Sequence, residues 1–426
     1  MSKSANTSLA AIQEHLQRHL YEGILPFWAT HGIDETYGGY LTNIDAQGNR
    51  LLTDTNKYIV TQTRMIWGSS LFSQLVPEDP CYREMAQQGV DFFLKHFWDE
   101  THGGWAWKVK RDGIVIDNGK VTYGQSFAIY ALAQYTLSTG DPRGLEYARR
   151  TFDLLQKYAA DTAWGGYYEN MEPDWQRAEA GWCAGDRKSL DVHMHLMEAY
   201  TTLYQASGEE IHRRKLEEVI AVLLHHMIDE KAGCGRNQFD PQFHPLAPIA
   251  IHRTWNAERT GETAGEGMDT TSYGHNIEFA WLLVRAGEVL GKTRQTYAPI
   301  VKMLLDHTLQ YGFDWQLGGV YRDGPHRGLA LVTDKEFWQN AESLVGLLDG
   351  YEIVKDPRYL EAFQLQWCFV DQFMINHELG EWLTLVTKEG EPLWSDVGNP
   401  WKACYHTGRT AFETLKRIEM LKMEEE

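Results

Sequence analysis

Three segments of the chain carry residue types suited to moving protons, and each sits where a helix should begin. In KSLDVHMHLMEAY, Asp191 and His195 lie four apart and share a helical face with Glu198, while His193 points elsewhere. In SYGHNIEFAW, His275 and Glu278 are three apart, so a carboxylate can fix the tautomer of the imidazole. In NPWKACYHTGRTAFETL, His406 precedes Gly408 and Arg409. An imidazole titrates at about 6.5 and so serves as acid or base near neutrality. A lone histidine near a helix start is more often a structural hydrogen-bonding residue; three in matching context favour a site. His102, His225, His226, His307 and His377 lack that context and are read as structural.

Other chemistries fit less well. There is no HExxH, and the two rings of HMH fall on different helical faces, so no metal is expected. GEVLGKT, from Gly287 to Thr293, is one residue short of a phosphate loop and lies in a helical pattern rather than after a strand. Neither a GxGxxG turn after a strand nor a GxSxG elbow occurs. Paired carboxylates of the glycosidase kind remain a competitor, with Asp191, Glu278, Asp314 and Glu342 as candidates. These acids lie beside histidines more than beside each other, which favours an orienting role.

The elements that must hold these residues repeat six times. An aromatic–acidic–glycine pattern recurs as FWATHGIDETYGGY, FWDETHGGW, YAADTAWGGYY, MIDEKAGCG (a weaker copy), YGFDWQLGGVY and FMINHELGEW. The steps between copies are about 65, 62, 68, 85 and 62 residues. Between copies, stretches such as LFSQLVPEDPCYREMAQQGVDFFLKHF read as two amphipathic helices around a Pro-marked turn. A helix pair of this size cannot bury its own apolar face, so the units must stack. Six is the number that closes an (α/α)6 barrel: an all-α ring of six helical hairpins, with short β-hairpins in the connecting loops. The N-terminal helix would complete the shortened last unit. No Pro-, Gly- and Ser-rich linker interrupts the chain, so residues 1–426 read as a single catalytic domain. The irregular stretch from Phe239 to Thr271, which holds Arg253, Trp255, Asn256 and Arg259, reads as a lid over the site.

Composition narrows the partners. The 426 residues are 43% apolar, with 16 Trp and 21 Tyr, an excess that suits either a thick core or a surface that stacks on sugar rings. A formal net charge of −19 and the lack of a basic stripe argue against nucleic acid. Five widely spaced cysteines without CxxC suggest a reduced compartment. The N-terminus lacks a signal-peptide core, and no apolar run approaches the ~20 residues of a membrane span. The expectation is a cytoplasmic protein with no membrane partner; a homodimer is compatible with the sequence but not read from it.

TQTRMIW with Arg64, HMHLMEAY, SYGHNIEFAWLL, KEFWQNAESLVG and YHTGR, spread in this order over the repeats, resemble the N-acylglucosamine 2-epimerase superfamily, and within it the cellobiose and mannose 2-epimerase branch. The resemblance implies a one-domain barrel, no cofactor and a two-base mechanism. His275 and His406 match the catalytic pair. His195 matches a third histidine that contacts the sugar, Arg64 a substrate-binding arginine, Trp338 a sugar-contacting aromatic, and Glu278 and Glu342 the supporting acids. Tyr123 and Asp191 complete the substrate-binding set. One base would take the C2 proton of the open-chain aldehyde, and the other would return a proton to the opposite face of a cis-enediolate. Asp191 and Asn276 depart from the branch, which commonly shows Asn and Asp there. The long 239–271 loop leads us to expect a monosaccharide substrate, D-mannose interconverting with D-glucose. Cellobiose comes second, mannose isomerisation to fructose third, and a glycoside hydrolase is the alternative of another class.

Overall fold

A computed structural model describes residues 8–254 and 270–425. Helix α1 (Leu9–Arg18) runs through a π turn (His19–Ile24) into α2 (Leu25–His31). There follow α3 (Ile59–Leu75), α4 (Pro80–His96), α5 (Thr122–Thr139), α6 (Pro142–Leu154), α7 (Leu190–Ser207) and α8 (Glu210–Val222). The chain ends with α9 (Tyr273–Val289), α10 (Ala298–Tyr311), α11 (Phe337–Val354), α12 (Pro357–Phe369) and α13 (Cys404–Glu425).

These helices form two concentric rings. The inner ring runs α3, α5, α7, α9, α11, α13, each packed on the next, and α13 closes back on α3. Every inner helix is backed by an outer one: α3 by α4, α5 by α6, α7 by α8, α9 by α10 and α11 by α12. α13 is backed by α1 and the π turn after it, so the N-terminal helix completes the sixth hairpin as expected. The fold is the (α/α)6 barrel.

The sequence separates the two rings. Inner helices are buried on all sides; in α3 every residue from Ile59 to Phe72 is buried. Such a helix must be apolar or internally paired all round, and small residues such as Ala128, Ala131 and Ala133 of α5 let its neighbours approach. Outer helices bury one stripe, as α6 does with Gly144, Ala148, Thr151 and Phe152. Three outer helices start alike, with Asp79, Asp141 and Asp356 as N-caps followed by a proline, whose missing N–H costs nothing in the first turn. Among the described residues no helix is long and apolar enough to cross a membrane.

Each glycine copy is a tight turn. Gly38 and Gly39 both have positive φ (81° and 66°), a region closed to most side chains. Two anchors fix the turn to its inner helix, and neither is visible in the glycine pattern. The first is a lysine two residues before the helix, fully buried and paired with the acid that opens the turn. Lys57 meets Asp34 at 3.0 Å, Lys120 meets Asp99 at 2.9 Å, Lys188 meets Asp161 at 2.8 Å and Lys335 meets Asp314 at 2.9 Å. In the sixth unit Lys402 meets Glu381 at 2.9 Å. In the fourth, Thr271 stands at the lysine position and Asp229 pairs with Arg236 instead, at 2.7 Å.

The second anchor is the fourth residue of the inner helix. Gln62 and Gln125 each clasp both backbone groups of the residue after the glycines, Tyr40 and Trp105. Asn340 does the same to Val320. His193 uses Nε2 to accept the N–H of Tyr167 (2.9 Å), and Asn276 accepts that of Gly235 (2.8 Å). His193 is therefore a turn clasp, which burial keeps neutral by pulling its pKa down to about 4. The departure at Asn276 falls on the same structural position. Asp314, weighed above as a hydrolytic acid, is committed to its turn.

Removing one partner of a buried pair strands the other charge, at a cost of about 3–5 kcal/mol. Lys335→Met, which strands Asp314, is expected to lower unfolding stability by that order, read as a lower denaturant midpoint with an unchanged slope.

Candidate active site

The N-terminal ends of the inner helices surround a cavity on the barrel axis. At its base lies one register position, the sixth residue of each inner helix: Arg64, Phe127, His195, Glu278, Glu342 and Arg409, all buried, of which Arg64, His195 and Glu278 line the cavity itself. Above it stand second and third residues: Tyr123, Asp191 and Trp338, then His275 and His406. The repeat that builds the ring thus converges six side chains on one axis.

Arg409 organises the floor. Its Nη2 donates to Glu278 Oε1 at 2.9 Å and to Glu342 Oε1 at 2.7 Å, and its Nη1 donates to Glu198. The guanidinium also lies over the rings of Tyr405 (4.1 Å) and Trp281 (4.8 Å). Trp281 Nε1 donates to the other oxygen of Glu342 at 3.0 Å, and the Tyr405 hydroxyl donates to Glu198 at 2.6 Å. Atoms of Glu278, Glu342 and His406 lie within 4.8 Å of one another, a spacing that suits a metal, but Arg409 already supplies the positive charge these carboxylates face.

The three histidines differ sharply. His195 Nδ1 faces Glu198 at 3.0 Å and its Nε2 faces Asp191 at 3.3 Å. Burial opposes its charge, but the hydrogen bonds to Asp191 and Glu198 outweigh it and carry the pKa up to about 10. His195 is an imidazolium at neutral pH. His406 Nδ1 is 2.6 Å from Glu342 Oε1. Burial, with the cations Arg64 and Arg409 nearby, holds this imidazole well below its ordinary value, while burial pushes Glu342 up. With Nδ1 engaged, Nε2 is the atom His406 has left for the cavity. His275 keeps 22% of its side chain exposed, with Nε2 3.5 Å from Asp191. Trp338 packs on both outer imidazoles, its centroid 4.6 Å from that of His275 and 6.0 Å from that of His406.

Arg64 is a buried cation with no carboxylate partner among the described residues. It donates to the Tyr123 hydroxyl at 3.0 Å and to the carbonyl of Trp401.

Of the residues singled out from sequence, Arg64, Tyr123, Asp191, His195, His275, Glu278, Trp338 and His406 line this cavity. Glu342 does not; it stands behind His406 and holds it. His102, His225, His226, His307 and His377 are absent from the lining. The aromatic surplus divides: Trp105 and Trp281 are core, whereas Tyr123, Trp338 and Trp401 face the cavity. Sequence reasoning missed Glu169, Arg322, Asp323, Glu336 and Trp401, all cavity-lining. Five buried lysines mark helix starts and so the layer just above them, but in the sequence they look like solvent-facing charges. From the long loop, residues 248–251, Arg253 and Thr254 line the cavity, and Arg253 forms a bidentate pair with Asp117, both contacts 2.8 Å. Trp255, Asn256 and Arg259 lie outside the described residues.

Fold and site together define a barrel with a histidine-lined axial cavity, and comparison with known proteins gives its family. Residues 39–409 match the family model described as N-acylglucosamine 2-epimerase (GlcNAc 2-epimerase), and the chain belongs to this family. It is an isomerase-class enzyme acting on carbohydrates. It is 27% identical to a cellobiose 2-epimerase of Bacteroides fragilis, over 95% of this chain and 98% of that protein. The structure of the cellobiose 2-epimerase of Spirochaeta thermophila superposes with a TM-score of 0.83 at 28% identity, covering 99% of this chain and 100% of that one. A D-mannose isomerase of Marinomonas mediterranea is 22% identical over 99% of this chain and 100% of that protein.

The protonation pattern is open to measurement. In 15N spectra of histidine-labelled protein, His195 is expected to carry both ring protons through pH 8, and His406 one down to pH 5. A raised pKa stabilises the fold fully below about 6.5, and that stabilisation fades as pH rises toward 10. Between pH 6 and pH 10 the wild type should therefore lose stability relative to His195→Asn, read by denaturant midpoints.

Proposed function

We propose that the protein is an aldose 2-epimerase that inverts C2 of the reducing-end glucose of a β-1,4-linked disaccharide such as cellobiose. The observation that carries this reading is the packing of His275 and His406 on one tryptophan in one cavity, with His406 neutral and tied through Nδ1 to Glu342. Two imidazoles reaching one carbon from opposite sides are what inversion requires. With the sugar ring opened to the aldehyde, the C2 proton becomes acidic. One imidazole takes that proton as electrons flow to the carbonyl oxygen, giving a planar cis-enediolate. The other imidazole then gives its own proton to the opposite face. Arg64, a cation with no carboxylate to answer, and the imidazolium of His195 supply fixed positive charge where the oxygens become negative. Asp191, between His195 and His275, aligns both rings. Glu342 fixes the tautomer of His406.

The substrate order expected from the long loop is reversed here. Proteins named cellobiose 2-epimerase stand at 24–28% identity across nearly the whole chain, against 21–22% for D-mannose isomerases. Of the long loop, Pro248–Ile251, Arg253 and Thr254 line the cavity, and the Arg253–Asp117 pair holds that part in place.

In deuterated water without added metal, the enzyme is expected to place deuterium at C2 of cellobiose and form glucosyl-mannose. His275→Ala and His406→Ala should each lower kcat on the order of 10²–10⁴-fold while the fold persists. Release of free glucose from cellobiose by the wild type, unaffected by either substitution, would mean a hydrolase instead. With mannose and cellobiose compared at equal concentration, the higher kcat/KM is expected for cellobiose.

A further inference from the structure

One buried carboxyl in the cavity has no part in the chemistry above. The carbonyl of Glu169 accepts the N–H of Thr122, the first residue of α5, at 2.8 Å, and the next two residues, Asn170–Met171, pair with Lys120–Val121. The Glu169 side chain lines the cavity beside Val121, Asn170 and Ser189, and the residue is 4% exposed. Its Oε1 has no hydrogen-bond partner among the described residues. Leaving such an atom buried and unpaired destabilises the fold, so a fold indifferent to this carboxyl would be more stable with an apolar side chain. Burial pushes the Glu169 pKa up to about 8; the side chain and backbone N–H of Ser189 oppose the rise, Asp191 adds to it and Arg187 opposes it more weakly. At neutral pH the group is thus a carboxylic acid, able to donate one hydrogen bond and accept others.

Its height in the cavity indicates what it meets. Val121 and Ser189 immediately precede α5 and α7, whereas His275 and His406 are third residues of their helices. Three residues along a helix is about 4.5 Å, comparable to one sugar ring. Glu169 therefore sits one ring toward the mouth from the imidazoles. On the same side, Asn170 Nδ2 donates to the carbonyl of His252 at 3.2 Å, beside the latched Arg253.

We propose that Glu169 recognises a hydroxyl of a second sugar ring, the one linked to the ring being epimerised. This rests on the disaccharide reading above, and it assigns the specificity for a glycosylated substrate to a residue outside the proton-transfer machinery.

The test uses the full-length enzyme with cellobiose, mannose and cellobiitol, a reduced disaccharide that cannot be epimerised. Glu169→Met is expected to raise KM for cellobiose by about ten-fold relative to KM for mannose, the loss of one good hydrogen bond. Its unfolding temperature should stay level or rise, because the unpaired oxygen is gone; a structural role predicts a fall. Glu169→Gln, which keeps a donor and an acceptor, should recover most of the affinity lost in the methionine variant. Equal KM shifts on both sugars, no shift, or a lower unfolding temperature without a selective shift overturns the proposal. Calorimetry with cellobiitol separates the two readings. A wild type that binds it through Glu169 but turns over neither sugar sinks the epimerase reading alone. Binding unaffected by Glu169→Met sinks the second-ring contact, and no binding at all sinks both.

Discussion

Three carboxylates meet one guanidinium at the bottom of the barrel. Glu198, Glu278 and Glu342 come from three neighbouring helices, and Arg409 from a fourth binds them all. Acids this deep inside a protein would repel one another and take up protons if the cation were absent. With it in place, two of them also hold a histidine: Glu198 through its other oxygen and Glu342 through the same Oε1 that meets Arg409. Glu198 holds His195 charged, Glu342 holds His406 turned the right way, and Glu278 closes the floor. The opposite charge states of two neighbouring imidazoles follow from this division. One lies between two carboxylates. The other lies deep, beside two arginines and a single acid that burial itself disfavours as an anion.

This arrangement depends on register. The site-forming side chains occur at the same step of six helices, and a helix rotated by one residue would turn its contribution about 100° off the axis. The lysine–acid pairs set that register. Each joins the residue two before an inner helix to a turn at the end of the preceding outer helix, so every inner helix starts at a fixed point against its neighbour. The fourth unit lacks the lysine and carries the long 239–271 segment just before its helix. Positional control there passes to Arg236, Asn276 and the strand formed by Thr270–Ser272 with Asp323–Pro325.

Much of this was legible in the sequence. Paired glycines at four turns, and the positive-φ Gly233 and Gly380 at the other two, are required by backbone geometry, so the six turns showed themselves, and the spacing between them implied a closed ring. The three histidine segments were legible because polar residues at a helix start, inside an otherwise apolar run, are unusual. The buried lysines were not, since a lysine before a helix looks like any solvent-facing charge until its partner is known. Glu169 was hidden for a similar reason: it follows a turn, in a strand too short to show alternation. His193 and His195 looked alike by composition, and the helical face separated them, one to clasp a turn and the other to face the axis. Asn276, which departs from the residue common in the branch, is a clasp of the same kind. The length of the loop suggested a small substrate, whereas the relatives point to a larger one; loop length alone does not fix how far a cover stands from the floor.

The pairing of α1 with α13 bears on biosynthesis. Helix α1 leaves the ribosome several hundred residues ahead of its partner α13, and α3 waits for the same helix to close the inner ring. At roughly 5–20 residues per second, tens of seconds separate the two. Through that interval a growing, open arc presents apolar edges that nothing yet covers. α13 also bears His406 and Arg409, so the segment that seals the torus is the one that brings the cation its floor requires. A nascent chain of this protein therefore gains its closed ring and the cation of its site together, when α13 docks.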